Sequence, residues 1–519
     1  MSTVVYRSPL PDVEIPDAPL TTFVFERALE HRDRPALVEA PTARTVTYGE
    51  LVDGIRGLAA GLSQRGFGKG EALTIYSPNL PEYAIAFHGV ASAGGAVHPA
   101  NPLLTASELH FQLSDSQARF LVTVPALVEK AREAIEGTAV EDVFVIGERS
   151  FATLLESDGE PPTVSIDPAQ DVVALPYSSG TTGGCKGVML THRNLVANIC
   201  QLGAHLGADE KTVALGVLPF FHIYGLVVVL SNTLREGGTV VTMPRFDLDG
   251  MLAAIEEHRI THAFVVPPIV LALARQPAVE EHDLRSLHFV MSGAAPLGAD
   301  LEQECIDRLG CKFRQGYGLT ETSPVTHMVP HVPGAERPGS VGPPIPNSEV
   351  KIVDPETGEP VAPGERGEIW VRGPHVMKGY LENEAATAMT VDSDGWLHTG
   401  DLGVADAEGY LTVVDRLKEL IKVKGYQVAP AELEAVLLTH PAVADAAVVP
   451  SPDEEAGEVP TAYVVLRFDC DPDDVIAFVT ERVAPYKRIR RCEVVEEIPK
   501  SASGKILRRV LVERERARV

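Results

Sequence analysis

Short apolar runs with the look of strands alternate with helix-patterned stretches over most of this chain, and that alternation points to layered α/β structure. The runs at 72–76, 213–218, 239–243, 263–266 and 288–291 read as buried strands. The clearest helix opens with Thr47-Tyr48-Gly49-Glu50, a capping box. It carries Leu51, Ile55, Leu58, Ala59 and Leu62 at helical spacing and stops at Gly66 and Gly68. The run at 223–230 is too short to span a bilayer. With 519 residues, 45% of them hydrophobic, the chain can bury one large multilayer core and a smaller one.

The texture changes near residue 335. Gly and Pro become frequent, and strand-like pieces at 349–353 and 367–371 alternate with turns, which predicts a β-rich subdomain over about 335–415. A second boundary falls at 415–418. Beyond it a helix opening at Pro430, strands at 443–449 and 461–468 and a helix at 473–483 make a compact α+β pattern. The reading is therefore a domain over 1–415, a hinge at 416–418 and a lid over 419–519.

The formal net charge is −27, which disfavours nucleic acid and anionic membrane as general partners. An anionic substrate must then be met by local positive charge. Residues 482–518 supply some, with twelve basic and five acidic side chains, although a solvated helix face gives the same pattern. Six cysteines without CxxC spacing, and no apolar signal-peptide core at the start, predict a cytoplasmic protein with reduced thiols. Neither membrane insertion nor a nucleic-acid partner is expected.

Five segments carry chemistry. Tyr177-Ser178-Ser179-Gly180-Thr181-Thr182-Gly183-Gly184-Cys185-Lys186-Gly187 lies between an expected strand at 172–175 and an expected helix at 193–202. Its hydroxyls, free N–H groups and lysine suit phosphate oxygens, yet it is not a Walker A loop, because Cys185 and Gly187 break that pattern. Gln315-Gly316-Tyr317-Gly318-Leu319-Thr320-Glu321 joins an aromatic that can stack on a base, a hydroxyl for phosphate and a carboxylate for Mg²⁺. Asp401, in Trp396-Leu397-His398-Thr399-Gly400-Asp401, could bond ribose hydroxyls or simply close a turn, as could Asp415. His222 follows Pro219-Phe220-Phe221 in a loop. Lys505 follows Ser503-Gly504 ahead of a basic helix.

Taken together and in this order, these segments resemble the acyl-adenylate-forming superfamily of acyl-CoA synthetases, adenylation domains and beetle luciferases. The chain is most similar to the 4-coumarate:CoA ligase-like branch, from about residue 20 to 512. The resemblance implies a large layered N-terminal domain with two β-sheets flanked by helices, a small β-barrel-like subdomain and a small mobile C-terminal α+β domain. It implies an ATP-dependent carboxylate:CoA ligase that forms acyl-AMP and pyrophosphate, then acyl-CoA and AMP, using ATP, Mg²⁺ and CoA.

Roles follow by likeness. Ser178, Ser179, Gly180, Thr181, Thr182, Gly183 and Lys186 meet the β- and γ-phosphates. Gly316, Tyr317 and Gly318 receive adenine, Thr320 a phosphate and Glu321 Mg²⁺. Asp401 and Arg416 hold ribose, His222 gates the reacting carboxylate, and Lys505 is the catalytic lysine of adenylation. Lys418 is the hinge, and Gly425 and Tyr426 line the pantetheine tunnel. Tyr224, Met291, Gly293, Ala294, Gly316, Pro324 and Val325 line the acyl pocket. Small residues beside an aromatic suggest a slot for a flat ring such as 4-coumarate, but a medium aliphatic chain fits the same set. Loading of a carrier protein in place of CoA stays open, as does a luciferase-like oxygenase, with nothing arguing for light emission. A non-catalytic binder is disfavoured because Glu321 and Lys505 are both present. The protein is expected as a monomer or homodimer. Gly184-Cys185 replaces the usual apolar residue and Pro, which predicts a more mobile, oxidation-sensitive loop.

Overall fold

The computed structural model describes residues 4–157, 159–179, 185–424, 426–453, 456–501 and 504–518. The apolar run at 72–76 forms the strand Ala72–Tyr76, buried at every position, as a parallel strand covered on both faces must be. It sits inside an eight-stranded sheet. The strands Ala96–Ala100 and Ala118–Thr123 flank it in parallel. Val172–Ala174 joins beyond Ala96–Ala100, and Cys185–Thr191 and Gly379–Tyr380 continue the edge antiparallel. A second eight-stranded sheet has Lys312–Gly318, Phe289–Ser292, His262–Val265, Val213–Gly216, Thr239–Thr242 and Pro35–Glu39 in parallel, with antiparallel strands at both edges.

One apolar core joins the two large sheets through Leu73, Ile75, Leu215 and Val265, with Leu51, Leu58 and Phe87 from the helices Tyr48–Gln64 and Pro81–Ser92. Each such side chain contributes roughly 1.5–3 kcal/mol by leaving water. The expected capping box is present: Glu50 N–H donates to Thr47 Oγ1, and Thr47 N–H donates to Glu50 Oε2. Strand limits in the two large sheets shift by a residue or two from expectation, and those of Val443–Asp453 and Gly457–Leu466 by up to four. The 223–230 run proves to be a wide π-helix, Tyr224–Ser231, buried throughout. No helix among the described residues is long and apolar enough to cross a membrane.

The Gly/Pro-rich region forms a five-stranded antiparallel half barrel: Glu349–Val353, Arg366–Arg372, Leu397–Ala405 and Leu411–Arg416, with Tyr6–Arg7 added at one edge. That first strand was not anticipated; Arg7 pairs with Glu349 across it. Here Lys351 Nζ lies 4.4 Å from the ring centroids of both Trp370 and Trp396. Trp370 in turn stacks on His398 with centroids 3.6 Å apart.

The half barrel's last strand ends at Arg416. The next strand, Ile421–Val423, already belongs to another sheet with Tyr426–Val428, Gly457–Leu466, Val443–Asp453 and Arg491–Val494. That sheet has its own core, including Leu433, Val448, Val464 and Val479. Two separately packed bodies thus meet across a four-residue connection, 417–420.

Candidate active site

The strand Tyr177–Ser179 turns back against Cys185–Thr191, with Ser178 opposite Lys186. Gly180, Thr181, Thr182 and Gly183 lie outside the described residues, as do Gly184 and Gly425. The hairpin base is anchored by Tyr177, whose hydroxyl donates to Asp115 Oδ2 at 2.6 Å. Thr191 then caps the helix His192–Leu206. Ser178 Oγ donates to Glu321 Oε1 at 2.8 Å, so the phosphate-loop segment and the Gly316–Glu321 segment meet. Tyr380 O–H donates to the same Glu321 oxygen at 2.9 Å, and Lys186 Nζ lies 4.8 Å from the Tyr380 ring centroid.

Cys185 opens the return strand Cys185–Thr191. Its thiol is partly covered, and burial pushes its pKa up, which lowers its thiolate fraction.

The strand Lys312–Gly318 leads into the turn Thr320–Thr322, which carries Thr320 and Glu321 side by side. A Cβ on Gly318 would fall 1.9 Å from the Pro324 carbonyl oxygen, so only glycine fits. Tyr317 O–H donates to Asp401 Oδ2 at 2.7 Å. Asp401 stands directly opposite Arg416 across two antiparallel strands, with Arg416 Nε 3.6 Å from its Oδ1. Burial pushes the Asp401 carboxyl up, while Arg416 and the Tyr317 hydroxyl pull it back. The neighbouring Asp415 is a structural cap, accepting the N–H groups of Arg416 and Ala431.

Lys505 arrives from the other body. Gly504 takes φ +76° and presses against Val266, so the turn ahead of the lysine abuts the large domain. The turn is closed by Gly504 N–H to Ser501 O at 2.9 Å and Lys505 N–H to Ser501 Oγ at 3.1 Å. Burial and Arg416 lower the Lys505 ammonium's pKa, against the pull of Asp401, Glu321 and Glu419. These are the charges that surround it. His222 is nearby: burial and Lys505 together bring its pKa down to about 3. Its Nδ1 accepts the Tyr224 N–H at 3.2 Å, which leaves the proton of the neutral ring on Nε2.

The residues expected to line an acyl pocket also converge. Tyr224 O–H donates to the Met291 carbonyl at 3.3 Å. A Cβ on Gly293 would lie 3.1 Å from Tyr224 Cε1, and one on Gly316 would lie 2.4 Å from Met291 Cε. Ala294 holds φ +72°, a costly conformation for a residue with a Cβ. Pro324 and Val325 follow on the adjoining segment, where the Val325 carbonyl accepts Asn198 Nδ2–H at 2.8 Å.

Residues 24–381 match the family described as AMP-binding enzyme, and residues 432–505 match the AMP-binding enzyme C-terminal domain. The chain belongs to the AMP-binding enzyme family. Within this family it is similar to 4-coumarate–CoA ligase 5 of Oryza sativa subsp. japonica, at 46% identity over 98% of this chain and 96% of that one. The 4-coumarate–CoA ligase of Pinus taeda is 44% identical over 98% and 97%. Among solved structures, the anthranilate CoA ligase AuaEII in complex with anthranoyl-AMP superimposes with a TM-score of 0.88. It is 28% identical and 98% of each chain is covered. ATP-bound MatB from Rhodopseudomonas palustris also gives 0.88, at 29% identity over 96% of this chain and 99% of that one.

Two other expected residues, Lys418 at the hinge and Tyr426 at the CoA tunnel, lie at the joint between the bodies and on the lid. Lys418 sits in the turn closed by Glu419 N–H to Arg416 O at 3.0 Å. Tyr426 is exposed on the lid, stacked on Tyr486 with centroids 4.5 Å apart. Sequence reasoning missed Tyr380, Glu419 and Arg508. Gly379-Tyr380 had no motif to flag it. Arg508 was one of many basic residues in the 482–518 segment.

Proposed function

We propose that the acid activated by this ATP-dependent acid–CoA ligase is aromatic or arylacrylic, with 4-coumarate as the type. The observation that carries the reading is the closeness of bare backbone to an aromatic face: a Cβ on Gly293 would lie 3.1 Å from Tyr224 Cε1, so the glycine leaves the ring undisplaced and the wall between them thin and flat, the shape of a slot. A flat conjugated ring suits such a slot. The curated relatives named for 4-coumarate and the neighbour holding anthranoyl-AMP support it. The movable Met291 end beside Gly316 favours a second reading, a medium-chain fatty acid, because methionine yields readily.

In the first half-reaction a carboxylate oxygen of the acid attacks the α-phosphorus of ATP and pyrophosphate leaves. Asp401 and Arg416 orient ribose, Tyr317 lies against adenine, and Ser178, Thr320 and Lys186 meet phosphate. Lys505 feels the charges of both Asp401 and Glu321 and is suited to neutralise the negative charge that accumulates on α-phosphate and incoming carboxylate. His222 contributes a neutral ring with its N–H on Nε2 at the carboxylate's side.

The donor set fits Mg²⁺ carried mainly by phosphate. Among the described residues no cluster of three or more His, Cys, Asp or Glu could cage a metal. Both hydroxyl bonds to Glu321 end on Oε1, and no described donor is bonded to Oε2. Glu321 would hold the ion, which would shield phosphate charge.

In the second half-reaction the lid turns about 416–418, Lys505 withdraws, and Gly425 and Tyr426 come to line the path of CoA. The CoA sulfur then attacks the acyl carbon and AMP departs. A cytoplasmic setting is supported by the six free cysteines.

The test is pyrophosphate release over a panel of acids, with and without CoA. Cinnamate, 4-coumarate or benzoate is expected to match or exceed octanoate in kcat/KM. Octanoate ahead of all three by more than about tenfold, or ~1.4 kcal/mol, would reverse the assignment.

A further inference from the structure

Lys186 and Glu321 carry opposite charges into one small region, yet they make no ion pair with each other. Between them stands Tyr380. Its hydroxyl donates to Glu321 Oε1 at 2.9 Å, and its ring lies 4.8 Å from Lys186 Nζ. A tyrosine can serve both groups because its O–H is a donor for a carboxylate and its face is negative toward an ammonium.

The Tyr380 backbone is tied on both sides. Tyr380 is paired with Val188 in the strand that leaves the phosphate loop. Lys378 N–H donates to Met189 O at 3.0 Å, and Leu381 N–H donates to Gly187 O at 2.8 Å. In the other direction Met377 N–H donates to the Glu321 carbonyl at 2.8 Å. Tyr380 N–H is held by Thr387 Oγ1 at 2.9 Å, and the residue is buried. The ring is therefore fixed relative to both charges.

We propose that Tyr380 is a positioning residue that holds Lys186 and Glu321 as separate charges, leaving the ammonium to phosphate and the carboxylate to a divalent cation. Without the ring, the two side chains are free to neutralise each other, and incoming ATP must first break that pair. With the ring but without the hydroxyl, Lys186 keeps its place and Glu321 loses one of its two donors. The inference rests on the phosphate and cation roles proposed above for Lys186 and Glu321. A tyrosine that merely fills the core would change stability without this charge-specific pattern.

The experiment is calorimetric titration of the full chain with ATP, without acid, once in EDTA and once with Mg²⁺. Tyr380→Leu should weaken metal-free ATP binding about tenfold, equivalent to ~1.4 kcal/mol. Adding Glu321→Gln to that variant should restore the metal-free affinity to within about threefold of wild type, because no carboxylate remains to capture the lysine. Tyr380→Phe should keep metal-free affinity within about twofold but reduce the gain on adding Mg²⁺ by about threefold or more. If Tyr380→Leu does not fold, the Tyr380→Phe pattern decides. Lys186→Ala separates the two layers of the argument. If it weakens binding while the Tyr380 variants behave as wild type, or if Glu321→Gln gives no rescue, the role of Tyr380 is overturned. If Lys186→Ala itself leaves ATP binding unchanged, the phosphate reading falls and the Tyr380 proposal with it.

Discussion

The two ends of the proposed nucleotide site are held by different chemistry. At the phosphate end, Glu321 is held by two neutral hydroxyls, from Ser178 and Tyr380, and Lys186 by an aromatic face. At the hinge end, charges alternate without a break. Asp401 meets Arg416 at 3.6 Å, Arg416 meets Glu419 at 3.4 Å, and Glu419 meets Arg508 at 2.8 Å. Arg508 then grips Glu434 with two parallel bonds of 2.8 and 3.0 Å. Burial works against the Arg508 charge, but Glu434, Glu419 and Asp415 outweigh it and its pKa rises. Neutral partners leave a site open to a polyanion, whereas ion pairs satisfy each other and fix geometry. If the lid turns about 416–418, the half-exposed Arg416–Glu419 contact must open. The buried Arg508–Glu434 pair travels intact, and with it the segment bearing Lys505.

The largest effect is expected at Arg508. Arg508→Met leaves Glu434 buried without its cation, and loss of one partner of a buried pair costs about 3–5 kcal/mol. The Val448 amide, which donates to Glu434 Oε1 at 2.8 Å, should lose hydrogen-exchange protection along with the lid core. Unchanged exchange there would mean that the pair holds nothing together. Next in size is Lys505→Ala. Adenylate formation should fall on the order of 10²–10³, while conversion of supplied acyl-AMP and CoA stays within about tenfold of wild type. A folded variant that loses both activities equally would contradict the division of labour between the two half-reactions. The smallest effect is expected at the hinge turn. Lys418→Pro restricts Leu417, whose N–H bonds the Gly400 carbonyl at 2.8 Å. Thioester formation should drop about tenfold further than adenylation, a gap of ~1.4 kcal/mol. Equal losses would assign the residue to folding rather than rotation.

The layered fold was legible because buried parallel strands are short and apolar, as at Ala72–Tyr76, and because Thr47 and Glu50 leave a local capping signature. The π-helix Tyr224–Ser231 was not, since an all-apolar run has no polar face from which to read a period. Tyr6–Arg7 was too short to register, and only its pairing with Glu349–Val353 makes it a strand. In the site, residue types were legible and adjacency was not. Asp401 and Arg416 stood in separate segments, and strand register makes them partners. Tyr380 stayed hidden because its importance lies in what flanks it in space. Asp415, flagged beside Arg416, turned out to cap the helix Pro430–Leu438.

The pairing of Lys351 with Trp370 and Trp396 has an optical consequence. These are the chain's two tryptophans, and both lie in the half barrel, with Trp370 directly opposite His398, which is three residues from Asp401 on the strand they share. All indole emission therefore originates beside the Asp401 end of the proposed site, with an imidazole stacked at 3.6 Å as a local quencher. The lid contributes no indole of its own. Its fluorescence signature would be the change it imposes on light from the neighbouring body, which makes the unlabelled protein a reporter of events at the strand Leu397–Ala405.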